Sequence, residues 1–165
     1  MTGEGEMNSG HRERPDGAAI HGEFLNVPLY GHASGALPTG HWAINGGGEV
    51  QEYLAFERAF ARSSFGTTAN LVCLRATGDS MLPTISQGDL LVIDMSDCTV
   101  QKDAAPYILQ IGETTAVKRL HRLTKNTIRI ASDNPAGWSK EMTIQEMEAE
   151  GIEIKGRVVA IMKMA

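Results

Sequence analysis

The stretch Gly78-Asp79-Ser80-Met81-Leu82-Pro83, followed at once by Gly88-Asp89 and the apolar run Leu90-Leu91-Val92-Ile93-Asp94, places a hydroxyl on a tight turn between two strands. The run Ala69–Ala76 reads as the strand that delivers Ser80, and Leu90–Asp94 as the strand that leaves the turn. Downstream, Ala116-Val117-Lys118-Arg119-Leu120 reads as a further strand. Alternation there puts Ala116, Lys118 and Leu120 on one face, and Val117, Arg119 and His121 on the other. Lys118 thus points with an apolar set, where desolvation disfavours its charged form. A serine hydroxyl becomes a nucleophile only when a nearby base takes its proton, and a lysine serves as that base only when neutral. Bringing a lysine into the useful range needs a shift of about 3 pH units, or roughly 4 kcal/mol of differential solvation. A buried apolar pocket supplies that much, so the two stretches together propose Ser80 and Lys118 as a catalytic pair.

Working outward, Val27-Pro28-Leu29-Tyr30 reads as a short edge strand, because Pro28 has no N–H to give to a ladder. Small residues, Gly31 to Ala36, and a loop through Gly46-Gly47-Gly48 follow. Residues 49–62 read as a short strand leading into a helix. Tyr107–Ile111 and Thr114–Leu123 form a hairpin across Gly112-Glu113, and Thr127–Ala131 is another strand. Thr143 with Glu146 makes a capping box for a short helix that Gly151 ends. Ile154–Met164 closes as a long strand, apolar on both faces, which fits a central strand or a dimer interface. The expected fold is mostly β, a strongly bent sheet assembly with short helices. Residues 1–26, rich in Gly, Glu, Arg and His without apolar periodicity, are expected to be a disordered arm or linker remnant; residues 27–165 form the folded domain.

Composition agrees with one globular core: 165 residues, 42% hydrophobic and 21% charged. A net charge of −5 argues against direct DNA binding by this chain, since such surfaces are basic. No apolar run reaches the ~18–20 residues of a membrane span, and no signal-peptide core opens the chain, so a soluble, cytoplasmic protein is expected. Cys73 and Cys98 fit neither a metal site nor a disulfide scaffold and suit a reducing compartment. The five histidines show no metal-binding spacing, and neither a cofactor nor a metal is expected.

The order G-D-S-M-L-P, G-D-L-L-V and V-K-R-L, with Ser132-Asp133-Asn134-Pro135 and Gly156-Arg157-Val158-Val159 beyond, resembles the peptidase domain shared by LexA, the phage repressors and UmuD-type proteins. The resemblance runs from about Val27 to the C-terminus. It implies a LexA/signal-peptidase-like bent β-sheet, Ser80 as nucleophile, Lys118 as its base, and an oxyanion site on the backbone around Ser80 and Met81. Met81 and Leu82 are expected to pack beneath the turn, and Asp79 to cap or orient it. The resemblance further implies that the substrate is the chain's own arm, cut in family proteins at an Ala-Gly or Cys-Gly bond. The matching place here is Ser34-Gly35, with Ser34 standing where the family has Ala or Cys.

Homodimerisation and stimulation by a RecA–DNA filament are implied in the same way. A helix-turn-helix DNA-binding half, present in full-length repressors, has no room in residues 1–26. Three readings follow. The first is the peptidase and dimerisation part of a phage-repressor-like regulator, the second a UmuD-type accessory of a translesion polymerase, and the third a non-cleaving dimerisation module. The S-D-N-P and K-R-L neighbourhoods favour the first.

Overall fold

The computed structural model describes residues 22–32, 50–101 and 104–165. Along the chain come β1 (Phe24–His32), β2 (Val50–Glu57), α1 (Arg58–Phe65), β3 (Leu71–Arg75), β4 (Leu90–Asp94), β5 (Ala105–Ile111), β6 (Thr114–Arg122), β7 (Thr127–Ala131), β8 (Ser139–Thr143), α2 (Ile144–Ala149) and β9 (Ile152–Met162). These strands join one sheet in the order β2-β1-β3-β4-β9-β5-β6-β7-β8. The protein is therefore mostly β with two short helices, as its turn-punctuated apolar runs imply. Neither helix is long and apolar enough to cross a membrane.

β9 organises the sheet. Its first residues, Ile152 to Arg157, pair with β5, and its later ones, Arg157 to Met162, pair with β4. One strand thus serves two half-sheets, β2-β1-β3-β4 on one side and β5-β6-β7-β8 on the other. The register shifts once on each side, between Val92 and Ile93 and between Ile108 and Leu109, and such bulges bend a strand. Gly156 lies at the crossing. A Cβ there would stand 2.7 Å from the Asp94 carbonyl oxygen and 2.8 Å from Ile93, so only glycine admits this approach.

Three apolar clusters fill the fold. One packs β1, β3 and β4 with Ala61 and Phe65 of α1, and another packs β5, β6 and β7 with Met142 and Met147. The third lies at the joint: Val72, Leu74, Leu91 and Ile93 meet Ile108 and Val117 of the other half, with Met81 and Ile85 seated on them. The Ser80 turn is thereby fastened over the seam. Each such fully buried side chain contributes about 1.5–3 kcal/mol of transfer free energy.

The structure revises three local expectations. The strand around Pro28 is not at an edge, since β1 lies between β2 and β3. Its parallel pairing with β3 begins only at Leu29, so Pro28 is paired on one side and its missing N–H costs nothing. The true edge on that side is β2. β8, unanticipated from the sequence, forms the other edge; Ser-Lys-Glu-Met-Thr carries too little apolar alternation to announce a strand, and only Met142 of it is buried. Of the turn's two apolar residues, Met81 packs beneath as expected, whereas Leu82 is exposed. Residues 1–21, including most of the expected arm, lie outside the described residues, as does Ser34-Gly35.

Candidate active site

Ser80 follows Gly78, whose φ of +79° is a left-handed conformation that glycine alone adopts freely, so the chain reverses direction just ahead of the hydroxyl. The turn is closed by the Leu82 N–H donating to the Asp79 carbonyl (3.0 Å) and the Ile85 N–H donating to the Met81 carbonyl (2.9 Å). Asp79 thus orients the turn through its backbone rather than its carboxylate. Among the described residues, neither the N–H groups of Ser80 and Met81 nor the Ser80 hydroxyl has a hydrogen-bond partner.

Lys118, on β6, is only 5% exposed, and Leu120 on the same face is fully buried, as alternation implies. Burial pushes the Lys118 ammonium below the ordinary lysine value. Its Nζ donates to Ser132 Oγ at 2.7 Å and lies 4.9 Å from the centre of the Trp138 ring.

Three consecutive residues join these two places. Ser132 accepts from Lys118. Asp133 accepts two parallel bonds from the Arg119 guanidinium, both at 2.7 Å, and a third from the Thr84 hydroxyl of the Ser80 turn. The Asn134 N–H donates to the Ser80 carbonyl (3.0 Å), and its side-chain amide donates to the Asp79 carbonyl (3.0 Å). The segment after β7 therefore ties the turn that carries Ser80 to the strand that carries Lys118. The apolar seam does the same from below, since Met81 and Val117, the sequence neighbours of the two residues, share one cluster. The Arg119 fork holds the Asp133 carboxyl below the usual carboxylate range, outweighing its partial burial, with the Thr84 hydroxyl adding to the effect.

A second anchor fixes the far side of the turn. Asp89 is 2% exposed and accepts from the Ser86 N–H (2.8 Å), Lys163 Nζ (2.6 Å) and the Met164 N–H (3.3 Å). Burial alone would raise its carboxyl; these donors more than offset that and hold it below its ordinary value. Lys163 Nζ also donates to the Thr84 carbonyl at 2.7 Å. The end of β9 is thus bound to the loop that leaves Ser80.

Ser80 and Met81 lie on the turn and Lys118 on β6, linked through Ser132-Asp133-Asn134 and through the cluster shared by Met81 and Val117. The Lys118 ammonium bonds to Ser132 rather than to Ser80. The contacts of Ser132, Arg119, Asp133 and Trp138 are not evident from spacing. Only the S-D-N-P motif pointed towards them, and nothing in the sequence marks Trp138.

Comparison with known proteins gives the arrangement its relatives. An HTH-type transcriptional regulator of Haemophilus influenzae is 35% identical over 100 residues, covering 60% of this chain and 41% of that protein. The 26 kDa repressor protein of Escherichia phage HK022 is 37% identical over 82 residues, half of this chain and 33% of the repressor. The HTH-type transcriptional regulator PrtR of Pseudomonas aeruginosa is 26% identical over 136 residues, 81% of this chain and 52% of PrtR. These matches span a third to about half of each relative's length. The sequence profile described as Peptidase S24-like matches residues 28–159, which takes in the Ser80 turn, the Lys118 strand and the segment that binds both. On that match, the chain belongs to the S24-like peptidase family of LexA-like and phage-repressor regulators.

Proposed function

We propose that this domain is the self-cleaving Ser-Lys peptidase part of a repressor-type transcriptional regulator, with Ser80 as nucleophile, Lys118 as base and the chain's own Ser34–Gly35 peptide as substrate. The observation that carries the reading is the Ser132-Asp133-Asn134 segment, which grips the lysine with one residue and the serine turn with the next two. Among the described residues Lys118 has no carboxylate partner, so it is costly to keep charged, and burial favours the neutral base the reaction needs.

Neutral Lys118 takes the Ser80 proton as Oγ attacks the residue-34 carbonyl carbon, and the carbonyl π pair moves onto oxygen. The N–H groups of Ser80 and Met81 supply donors for that oxyanion. Collapse breaks the C–N bond. The proton on Lys118 passes to the leaving Gly35 amine, and an acyl group remains on Ser80. Water, deprotonated by Lys118, then hydrolyses the ester.

Strand direction favours attack on this bond. β1 runs parallel to β3, with His32 opposite Arg75, so both strands point towards the same end of the sheet. Ser34 follows His32 by two residues and Ser80 follows Arg75 by five. Spans of that length reach about 7 and 17 Å when extended, enough for the chain beyond His32 to meet the turn. Cutting needs only a rise in the docked fraction, so a RecA–DNA filament that binds the docked state acts by population shift. The regulator's DNA-binding role belongs to a part of the protein other than this acidic domain, and dimerisation in the cytoplasm completes the reading.

Mass spectrometry after incubation at pH 7 and pH 10, with Ser80→Ala and Lys118→Ala alongside, tests the proposal. Fragments meeting near Ser34-Gly35, faster at pH 10 and absent from both variants, are expected. An intact mass in every sample, with or without a RecA filament, would leave the domain a dimerisation module.

A further inference from the structure

The loop from Ser132 to Trp138 closes on itself. The Ser132 N–H donates to the Trp138 carbonyl (3.0 Å), the Gly137 N–H donates to the Asn134 carbonyl (2.8 Å), and the Ala136 N–H donates to Asn134 Oδ1 (3.0 Å). A Cβ on Gly137 would lie 2.3 Å from that of Ser132, so the two ends of the loop are pressed together. The two residues that touch Lys118 Nζ, Ser132 and Trp138, are therefore joined through their own backbones. Trp138 is 44% exposed, so part of its side chain faces solvent while its ring lies over Lys118 Nζ.

We propose that Trp138 is a positioning residue for the proton transfer, its indole face stabilising the ammonium that forms on Lys118 as Ser80 attacks. The inference rests on the peptidase reading. A neutral amine has two N–H bonds and one lone pair. Ser132 Oγ takes one N–H, and the Trp138 face lies 4.9 Å away, so the ring makes no demand on the lone pair that must receive the Ser80 proton. When the proton arrives, positive charge develops 4.9 Å from the ring centre, within the range of cation–π attraction. The contact is stronger after the transfer than before it, and only such differential contacts raise a rate. Other titratable groups on the elements packed against Lys118 do not compete. Tyr107, its partner on β5, donates its hydroxyl to the Thr99 carbonyl; Asp133 is neutralised by Arg119; Asp79 is exposed on the turn, and His121 lies three residues along β6.

The test is the self-cleavage rate from pH 7 to 11 in the wild type, Trp138→Leu and Trp138→Phe, with circular dichroism checking the fold. Trp138→Leu keeps apolar cover but removes the ring. Its high-pH plateau should fall by up to about threefold and the midpoint of its pH profile should drop by about half a pH unit, because the ammonium has lost a partner both as it forms and once formed. Trp138→Phe, with a weaker face, should show both changes at smaller size, and it carries the test if the leucine variant misfolds. A ring that merely excludes water would give the opposite sign, since hydrating the ammonium raises the midpoint. An unchanged plateau or a raised midpoint therefore overturns the proposal.

A Trp42→Phe chain, leaving Trp138 as its sole indole, separates this result from failure of the peptidase reading. Its emission should titrate with Lys118, and the titration should vanish in the added Lys118→Met variant. Emission that ignores Lys118 overturns the proposal even if the chain cuts itself. Titrating emission with no cutting in any sample overturns the peptidase reading instead.

Discussion

As the proposed base, Lys118 faces two conflicting demands: the side chain must be buried enough to lose its proton, yet polar enough nearby to be aimed. The sequence shows the first, because alternation alone places the residue among apolar neighbours. The second depends on Ser132 and Trp138, 14 and 20 positions further on, whose contacts arise only once β7 has folded back against β6. No local pattern encodes a contact of that kind. The same holds for the fork between Arg119 and Asp133, whose side chains are 29% and 13% exposed. Asp133→Asn should destabilise the domain by about 1–3 kcal/mol in urea unfolding, since a bidentate charge-assisted pair is replaced by one neutral amide. It should also slow self-cleavage, because the Thr84 tether to the serine turn weakens with it. Wild-type stability and rate in that variant would show that the fork does not hold the turn.

Among the elements, those with strong internal pattern were legible. β4 and β7 match the apolar runs Leu90–Asp94 and Thr127–Ala131 at both ends, and the capping box at Thr143 and Glu146 forms with both reciprocal bonds. β1 is legible in the sequence as a strand but not in its place in the sheet, because proline reports only that one N–H is missing and not which side has a neighbour. β9 shows the other limit. Its length and apolar faces are visible in the sequence, but its division between two partners follows from bulges that sequence does not announce. Gly156 is where that division can be tested. Gly156→Ala would press a methyl group against the Asp94 carbonyl oxygen, and only separation of β4 from β9 relieves it. We expect a loss of about 1–3 kcal/mol in denaturant unfolding, typical of overpacking. A near-neutral alanine would mean that the crossing is looser than its 2.7 Å approach implies.

For the whole molecule, the polar anchor at Asp89 is the counterpart of the apolar seam. It binds the end of β9 to the loop below Ser80, and among the described residues Lys163 supplies its only side-chain cation. Lys163→Met should lower stability at pH 7 by about 1–3 kcal/mol, the cost of removing a charged partner from a buried carboxylate. The pH dependence has a definite sign. Because the Asp89 carboxyl is held below its ordinary value of 3.8, its contribution is fully present above that value and is lost as pH falls towards the folded-state value. Thermal unfolding of wild type and variant should therefore converge on acidification below about pH 4. A gap that persists in acid would place the effect in the lysine's packing instead.

The sharing of β9 by two half-sheets also bears on the order in which the chain is made. Ser80 and Lys118 sit in different halves, and the strand that unites those halves follows both in sequence. During translation Ser80 and Lys118 thus leave the ribosome before the strand that joins their two half-sheets. A nascent chain carrying both residues, together with the bond they are proposed to cut, still lacks the β4–β9 and β5–β9 ladders that join the two half-sheets. Under the proposed function, self-cleavage would thereby wait until the sheet is complete.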